Sequence, residues 1–555
     1  MSFPALLLTI KGQALIRHGG AMNKRSLVRW VLPLALCPLL GSSVAATAMT
    51  GGAGQHAITS RAASMGSVPG AQCGPGDRPE SGLQGQTTTA ERFSGDSALG
   101  YNCNLQLVGQ YTGEGAFSQD GPAYAGNCAY YGTDRNNSQQ QNHGVTVVDA
   151  SDPQHPRVTA FLNDTASALV PHETVQTNTR RHLLVVAQAD GPQFAVYDIS
   201  DCRHPVLKAN IQLPGSHGHM GAFAPDGRTY WLTQSFRNPG GFVYAVDLSD
   251  PSHPRELPPW QFNGDGRPHG LELNPAGFEP GVAEGTRLYA GQPGNFGETD
   301  NDSGPDGLVI EDVSGYQNRV PHPQIRIVSK LFWSDQGEAE AMVPVKINGH
   351  PYIITTDESG GAGGTGGLQG ACDRGQSLWG YPQIIDVGDE THPRIVSKLM
   401  LQVSDPANCQ QQVNETPPDF CGGGPCPGTN LPAESGSTNY SEERCVADNP
   451  MNATMLACTF QNAGLRVFDI RDPLHPTEIA YYKPPAVGTA FRPSSGSWVP
   501  GADRTVDKVA SWVRWRTVGN QRELWFVSDG NGFQVVRFTN WFEAHNSSVL
   551  ANSGT

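Results

Sequence analysis

The sequence predicts an all-β fold, a seven-bladed β-propeller, and three observations support this prediction. A short unit recurs seven times along the chain. Of the 555 residues, 66 are glycine and 43 are proline, whereas only 16% are charged. This composition suits many short strands joined by turns and argues against helical bundles. The stretch before the first unit also resembles the strand that the seventh unit lacks.

The repeated unit is a Val-x-Val-Asp strand followed by an Asp-Pro-x-His-Pro turn, as in residues 147–156. Its marker positions are 149, 198, 247, 312, 386, 469 and 537; the fourth copy is stretched and the seventh is decayed. Each unit also contains three further short strand-like segments. Four strands repeated at intervals of about 40–50 residues are typical of propeller blades.

The two ends of the repeat array predict how the ring closes. The seventh unit has no fourth strand after Asn540, whereas residues 105–111 form a strand-like segment without three preceding partners. We therefore expect the N-terminal strand to complete the last blade, which would cover two sheet edges.

These repeats resemble the LVIVD-repeat family of bacterial secreted β-propeller proteins, named for the strand whose counterpart here is residues 144–149. The resemblance covers residues 101–540 and implies the fold, but no activity. The chain departs from it by long insertions after Asp247 and Asp312, and by the loop 404–445.

The N-terminus predicts export. Residues 1–48 contain an upstream extension and a secretory signal peptide: a basic stretch from Met22, an apolar run over 30–40, and an Ala-x-Ala cleavage site at 46–48. We expect Met22 to be the true start and the mature chain to be secreted or periplasmic, with no membrane span. Residues 49–100 are expected to be a flexible Gly/Ser-rich segment, and 541–555 a C-terminal tail.

Charge and cysteine content narrow the possible partners. The net charge is −15 and no basic patch is evident, so we expect no nucleic-acid partner. Ten cysteines remain after the predicted signal peptide, which suggests up to five disulfides. Cys421 and Cys426 could instead form a zinc knuckle, but no second closely spaced pair accompanies them.

Two sets stand out among the sixteen histidines. Six belong to the repeated turn, and because catalysis does not need six copies, we expect them to be structural, packing or hydrogen-bonding between blades. They are His155, His204, His253, His322, His392 and His475.

The second set emerges when the units are aligned on their second strand. His172, His219 and Glu340 each lie thirteen residues before an equivalent strand position, and a shared Pro-His pair places His269 with them. This place begins the innermost strand, so the side chains should converge at the central funnel. We predict that they bind Zn²⁺, Fe²⁺ or Cu²⁺. The alternative is that they line a water-filled channel.

Neighbouring residues extend this hypothesis. Glu173 and Glu338 are candidate general bases, and His217 is a candidate supporting residue or alternative ligand. If the protein is an enzyme, we expect a metal-dependent hydrolase, lyase or oxidoreductase acting on a small molecule. The alternative is a non-catalytic extracellular propeller that recognises a protein or glycan. The oligomeric state is left open.

Two further segments resemble ligand-binding loops. Asp300, Asp302, Asp306 and Glu311 resemble an EF-hand-type calcium loop, although Gly304-Pro305 departs from that pattern, and a plain acidic loop is the alternative. The glycine-rich run 358–367 lacks the Lys-Ser/Thr of a phosphate loop. We therefore expect that run to be a flexible surface loop, and we expect no nucleotide cofactor.

Overall fold

The structure is a computed structural model, and it describes fourteen segments of the chain. They are residues 65–112, 121–133, 142–189, 191–234, 242–261, 268–292, 306–335, 337–363, 367–415, 440–487, 489–492, 497–500, 505–519 and 521–546. The predicted signal peptide, residues 1–48, lies outside the described residues.

Seven antiparallel sheets, one for each repeat, confirm the seven-bladed propeller. In the first four blades the strands run in chain order from the innermost to the outermost. Blade one contains Ala123–Ala125, Cys128–Thr133, Gly144–Asp149 and Arg157–Leu162. Blade two contains Gln176–Asn178, Leu183–Ala187, Gly191–Asp198 and Val206–His217. Blade three contains Gly221–Phe223, Thr229–Thr233, Phe242–Asp247 and an interrupted outer edge, Arg255–Glu256 and Trp260–Gln261. Blade four contains Leu271–Leu273, Arg287–Gln292, Asp306–Asp312 and Arg326–Trp333.

The remaining blades complete the ring. Blade five contains Ala339–Ile347, His350–Asp357, Gln383–Asp386 and Arg394–Lys398. Blade six contains Arg444–Ala447, Met455–Phe460, Gly464–Asp469 and Thr477–Lys483, with Tyr101–Cys103 as a fifth strand. Blade seven contains Arg514–Val518, Gln521–Ser528 and Gly532–Phe538, and Leu105–Tyr111 is its outer strand. The predicted closure by the N-terminal strand is therefore confirmed.

Elements outside the blades are short. The α-helices are Thr89–Ser94, Ala166–Leu169, Ser314–Gln317, Gly367–Arg374, Cys409–Glu415 and Asn540–His545. The 3₁₀ turns are Asp96–Leu99, Gly360–Gly363 and Pro406–Asn408, and a separate hairpin pairs Thr489–Arg492 with Ser497–Pro500. Among the described residues, no helix is both long and apolar enough to cross a membrane.

The hydrophobic core of the described residues forms eight clusters, and seven of them each lie between two consecutive blades. The eighth contains Tyr101, Cys103, Tyr481 and Val506. The strands supply these clusters because their side chains alternate between the two faces of each sheet. In the cluster that joins blade seven to blade one, Trp525 and Val535 pack with Tyr131 and Val148. The innermost strands of neighbouring blades consequently lie side by side around the axis.

The repeated turn uses its histidine locally, which corrects the prediction of contacts between blades. In five turns the histidine Nδ1 lies 2.8–3.0 Å from the aspartate three residues earlier, as in His253 and Asp250. The contact to the neighbouring blade is made instead by a backbone carbonyl of the turn. The Arg203 carbonyl, for example, accepts a hydrogen bond from Thr159 Oγ1 at 2.9 Å.

The N-terminal segment differs from the expected flexible chain over its described part, residues 65–100. This part packs on blades five and six: Val68 N donates to the Met400 carbonyl at 2.9 Å, and the Glu80 carboxylate pairs with buried Arg466 at 2.8 Å. Glycine and serine content predicted flexibility, but several polar groups of this segment have partners far away in sequence, as in the hydrogen bond from Gln84 Nε2 to Glu478 Oε2. The C-terminal tail likewise begins as a helix, in which Phe542 is buried.

Four disulfides join cysteines within the described residues. They are Cys73–Cys103, Cys128–Cys202, Cys372–Cys409 and Cys445–Cys458. Cys421 and Cys426 lie outside the described residues. Four disulfides are typical of proteins that fold in an oxidising compartment.

Candidate metal centre in the central funnel

The three predicted axial histidines lie next to one another at the start of the innermost strands of blades two, three and four. The ring centroids of His172 and His219 are 4.9 Å apart, and those of His219 and His269 are 4.6 Å apart. The backbone amides of His219 and His269 donate to the carbonyls of Thr233 and Gly291 in the second strands. The backbone of His219 and of His269 is therefore held by the sheet of its own blade.

Gly291 allows blade five to approach this row of histidines closely. A Cβ atom at Gly291 would lie 1.9 Å from the backbone oxygen of Glu340, which is far below any van der Waals contact. Only glycine leaves room for the inner strand of blade five at this point. That strand carries Glu338 and Glu340 to the side of His269.

His269 is fully buried and has carboxylates beside both ring nitrogens. Its Nδ1 is 3.7 Å from Glu338 Oε1, and its Nε2 is 3.9 Å from Glu340 Oε1 and 3.7 Å from Glu358 Oε2. These carboxylates come from blade five, whereas the histidine comes from blade four. The structure therefore places His269 and Glu340 next to each other, as the sequence predicted.

At the His269 site, two sets of three described side chains place their ligand atoms within 4.8 Å of one another. One set is Glu173, His219 and His269, and the other is His269, Glu340 and Glu358. His172 lies at the edge of the first set, with Nδ1 3.9 Å from Glu173 Oε1. Imidazole nitrogens and carboxylate oxygens are ligands that divalent transition metals accept.

A buried arginine joins the two sets. The guanidinium of Arg444, on the inner strand of blade six, lies 2.9 Å from Glu173 Oε1 and also pairs with Glu340 Oε2. It stacks over the Trp512 ring at 5.3 Å. Arg444 pairs with one oxygen of each carboxylate and thereby orients the other oxygen. These other oxygens, Glu173 Oε2 and Glu340 Oε1, are buried and accept no hydrogen bond from the described residues.

The funnel holds more buried acids than bases. Burial raises the pKa of seven carboxyl groups, and for Glu173 and Glu340 the positive charge of Arg444 offsets part of that effect. The seven are Glu173, Glu338, Glu340, Asp357, Glu358, Glu442 and Glu443. Arg444 and Lys508 are the cations among them. Such a surplus of buried carboxylates favours protons or bound cations.

The mouth of the funnel is formed by side chains that keep some exposure. The exposed side-chain fractions are 28% for His172, 20% for Glu358 and 26% for Lys508. His269 and Glu340, by contrast, are fully buried. The cluster is therefore in contact with solvent at the side chains of His172, Glu358 and Lys508.

Glu338 and His217, two further predicted site residues, lie in different parts of the structure. Glu338 is buried next to His269, and its backbone amide donates to Asp357 Oδ2 at 3.0 Å. His217 ends the outer strand of blade two, pairing with Gly191, and its side chain lies outside the description.

The segment that resembles a calcium loop is partly a strand. Asp300 and Asp302 lie outside the described residues, whereas Asp306 and Glu311 are both in the strand Asp306–Asp312. Five residues of strand separate these two by about 16 Å and turn them to opposite faces. Asp306 and Glu311 therefore do not face the same ion, as the seventh and twelfth positions of a calcium loop would.

The sequence did not identify Glu358 or Arg444 as site residues. Glu358 starts the glycine-rich run that we expected to be a flexible surface loop, but its carboxylate reaches His269, and the run continues into a 3₁₀ turn and a helix. Arg444 is the first residue of the innermost strand of blade six, Arg444–Ala447. A charged residue at the start of an inner strand was the available signal.

Comparisons with known proteins assign no family to this chain. No family model matches the chain, and no curated protein matches it. Similar solved structures include Saccharomyces cerevisiae Sqt1, with 11% identity and a TM-score of 0.43 over 78% of this chain and 100% of that chain. The WD40 domain of Toxoplasma gondii coronin shows 8% identity and a TM-score of 0.44 over 84% and 90%. A functionally unknown protein from Desulfotomaculum acetoxidans shows 11% identity and a TM-score of 0.39 over 65% and 84%.

Proposed function

We propose that the central funnel binds a divalent metal ion through Glu173, His219 and His269. One observation carries the proposal: three side chains from three consecutive blades place their ligand atoms within 4.8 Å of one another at a buried site. Residues so far apart in sequence meet here only because each begins an innermost strand. Their convergence is supported by the backbone hydrogen bonds that fix His219 and His269.

Two imidazoles and one carboxylate suit Zn²⁺, Fe²⁺ or Cu²⁺. Three protein ligands leave a further coordination position, where a bound metal polarises water or a substrate. His172, next to His219 at the mouth, and Glu340, next to His269, are the remaining members of the predicted ligand set. Glu338, 3.7 Å from His269 Nδ1, is placed to orient that ring or to accept a proton.

The proposed setting is extracytoplasmic, in a propeller of the LVIVD-repeat type. The four described disulfides support an oxidising compartment. The partial exposure of His172 supports access by a small molecule, so the metal-bound protein is proposed to act as a metal-dependent enzyme.

A second candidate function is a non-catalytic propeller that binds a protein or glycan. The ion pairs of Arg444 in the funnel favour this candidate. Because Arg444 already pairs with Glu173 and Glu340, the funnel cluster can also be an internal ion network that needs no metal. In that case the histidines would be packing residues.

Elemental analysis separates the two candidates. Full-length protein should be purified without a polyhistidine tag and without chelator, and its metal content measured by mass spectrometry. We expect a stoichiometric divalent metal, and we expect His219→Ala and His269→Ala each to lose the ion bound at this position, because each variant removes a ligand. His253→Ala is the matched control, since that histidine pairs with an aspartate at the exposed surface.

Two results would contradict the metal proposal. If the untreated protein contains no metal and binds none on addition of Zn²⁺, Fe²⁺ or Cu²⁺, the funnel is an ion network. If His253→Ala loses as much metal as His219→Ala, the ion is bound at the surface and the proposal is also wrong.

A further inference from the structure

The second set of ligand atoms, on His269, Glu340 and Glu358, shares only His269 with the first. Both nitrogens of this ring have acidic neighbours: Nδ1 faces Glu338, and Nε2 faces Glu340 and Glu358. An imidazole that is flanked on both nitrogens can serve ligands on two sides.

The spacing on the Nε2 side fits a metal ion better than hydrogen bonds. The distances of 3.7 and 3.9 Å from Nε2 to the two carboxylate oxygens are too long for hydrogen bonds. Ligands bound about 2.1 Å from one tetrahedral ion are about 3.4 Å apart. Small side-chain movements would therefore close this set around an ion.

One ion does not account for all the ligands. Among the described residues the five side chains do not form one group within 4.8 Å; they form two groups of three. Opposite ligands of a single ion are separated by about 4.2 Å at most, given bond lengths of about 2.1 Å. The two groups therefore correspond to two positions.

The buried charge supports a second cation. With the carboxylates ionised, the acids around the two groups exceed Arg444 and Lys508 by three charges. These acids are Glu173, Glu338, Glu340, Glu358 and Glu443, all within ion-pair distance of His269, Arg444 or Lys508. A single divalent ion would leave part of this surplus, whereas two would balance it once His269 has also been deprotonated to an imidazolate. Glu340 Oε1, buried and without a hydrogen-bond donor among the described residues, faces the second position.

We infer that the funnel binds a second divalent ion through His269 Nε2, Glu340 and Glu358, beside the ion held by Glu173, His219 and His269. In this arrangement the His269 ring bridges the two ions as an imidazolate: each ring nitrogen binds one ion, and the ring N–H proton is released to solvent. This inference rests on the proposed function, since it assumes that the first position is a metal site. The second ion lies on the Glu358 side of the mouth, where that side chain keeps part of its exposure.

Metal stoichiometry tests the inference. Metal-depleted full-length protein is titrated with Zn²⁺ by calorimetry, and the ions retained after desalting are counted by mass spectrometry. We expect two ions per chain in the unchanged protein, one in Glu358→Ala, one in His219→Ala and none in His269→Ala. Glu358→Ala is the main variant because its partly exposed side chain makes none of the Arg444 pairs. Glu284→Ala, at the surface pair with Arg180, is the control and should retain two.

The outcomes separate this inference from the proposed function. One ion that Glu358→Ala leaves in place and His219→Ala removes would overturn the second position and keep the first. One ion that both variants remove would show a single shared site, which also overturns the inference. No ion in any protein would overturn the proposed function itself. Thermal melting of each variant shows whether a loss reflects unfolding.

Discussion

The outer turns and the central funnel use the same two side-chain types, histidine and carboxylate, in opposite ways. In the turns, the aspartate lies three residues before the histidine, and the two meet at 2.8–3.0 Å at exposed positions. In the funnel, His269 meets three carboxylates from another blade at 3.7–3.9 Å in a buried site.

The comparison indicates that two factors decide what a histidine next to a carboxylate does: whether the two are buried, and whether the carboxylate comes from the same turn or from another blade. A local, solvated pair caps a turn and contributes little free energy because solvent screens it. A buried histidine among carboxylates from other blades is an unbalanced charge cluster that a cation can stabilise. The following predictions test this contrast, from the largest expected effect to the smallest.

The largest effect is expected for Arg444→Met. This change leaves Glu173 and Glu340 buried without their cation, and breaking a buried pair costs about 3–5 kcal/mol. The free energy of unfolding from urea titration measures it. Arg255→Met, which removes an exposed partner of Asp247, should cost less than about 1 kcal/mol. Equal losses for the two variants would contradict the contrast between the regions.

The second prediction concerns pH. Burial raises the pKa of the funnel carboxyl groups above the ordinary value of 4.5, so the folded protein binds more protons than the unfolded chain above that pH. The metal-free protein should therefore lose stability as pH rises from 5 to 8, by an amount on the order of 2 kcal/mol. Added Zn²⁺ should remove the loss, because metal binds the deprotonated ligands.

The turns should show the opposite pH dependence. Hydrogen bonds from His204 to Asp201, and from Thr391 and His392 to Asp389, lower the pKa of each aspartate to about 2. Their contribution is present above the ordinary value of 3.8 and is lost as pH falls towards 2. Thermal melting from pH 2 to 8, with and without metal, measures both trends. If the melting temperature of the metal-free protein rises steadily up to pH 8, the predicted destabilisation by the funnel carboxyl groups is wrong.

Gly291→Ala should have an intermediate effect. Its Cβ would collide with the Glu340 backbone oxygen, and overpacking of this kind costs about 1–3 kcal/mol. Metal affinity should fall as blade five moves away from His269. Gly315→Ala is the control, because its Cβ would be no closer than 3.4 Å to any neighbour. Urea titration and Zn²⁺ calorimetry measure the two consequences, and an unchanged Zn²⁺ affinity would show that blade five supplies no ligand.

The smallest effect is expected for His253→Ala. The ring is exposed and only its pair with Asp250 is lost, so the free energy of unfolding should change by less than about 0.5 kcal/mol. Urea titration measures this change. A loss above about 2 kcal/mol would show that the turn histidines are as important to the fold as the funnel residues.

The repeat by itself determined the fold. The marker positions predicted seven blades, and the unpaired segment 105–111 predicted how the ring closes. Alignment on the second strand also identified His172, His219, His269 and Glu340, because equivalent positions in successive blades converge on one axis. The aspartate–histidine pairs of the turns could also be predicted from the sequence, since they join residues three positions apart.

Only the tertiary structure decided which residues surround His269. Glu358 belongs to a glycine-rich run whose composition is typical of a surface loop, and Arg444 follows a long insertion that weakens the alignment. Their distances to His269 and Glu340 depend on the curvature of the closed ring and on the close approach at Gly291. The N-terminal segment is a similar case, because Glu80 finds Arg466 only after blade six has formed. Local sequence specifies strands and turns, whereas contacts between blades arise when the whole ring packs.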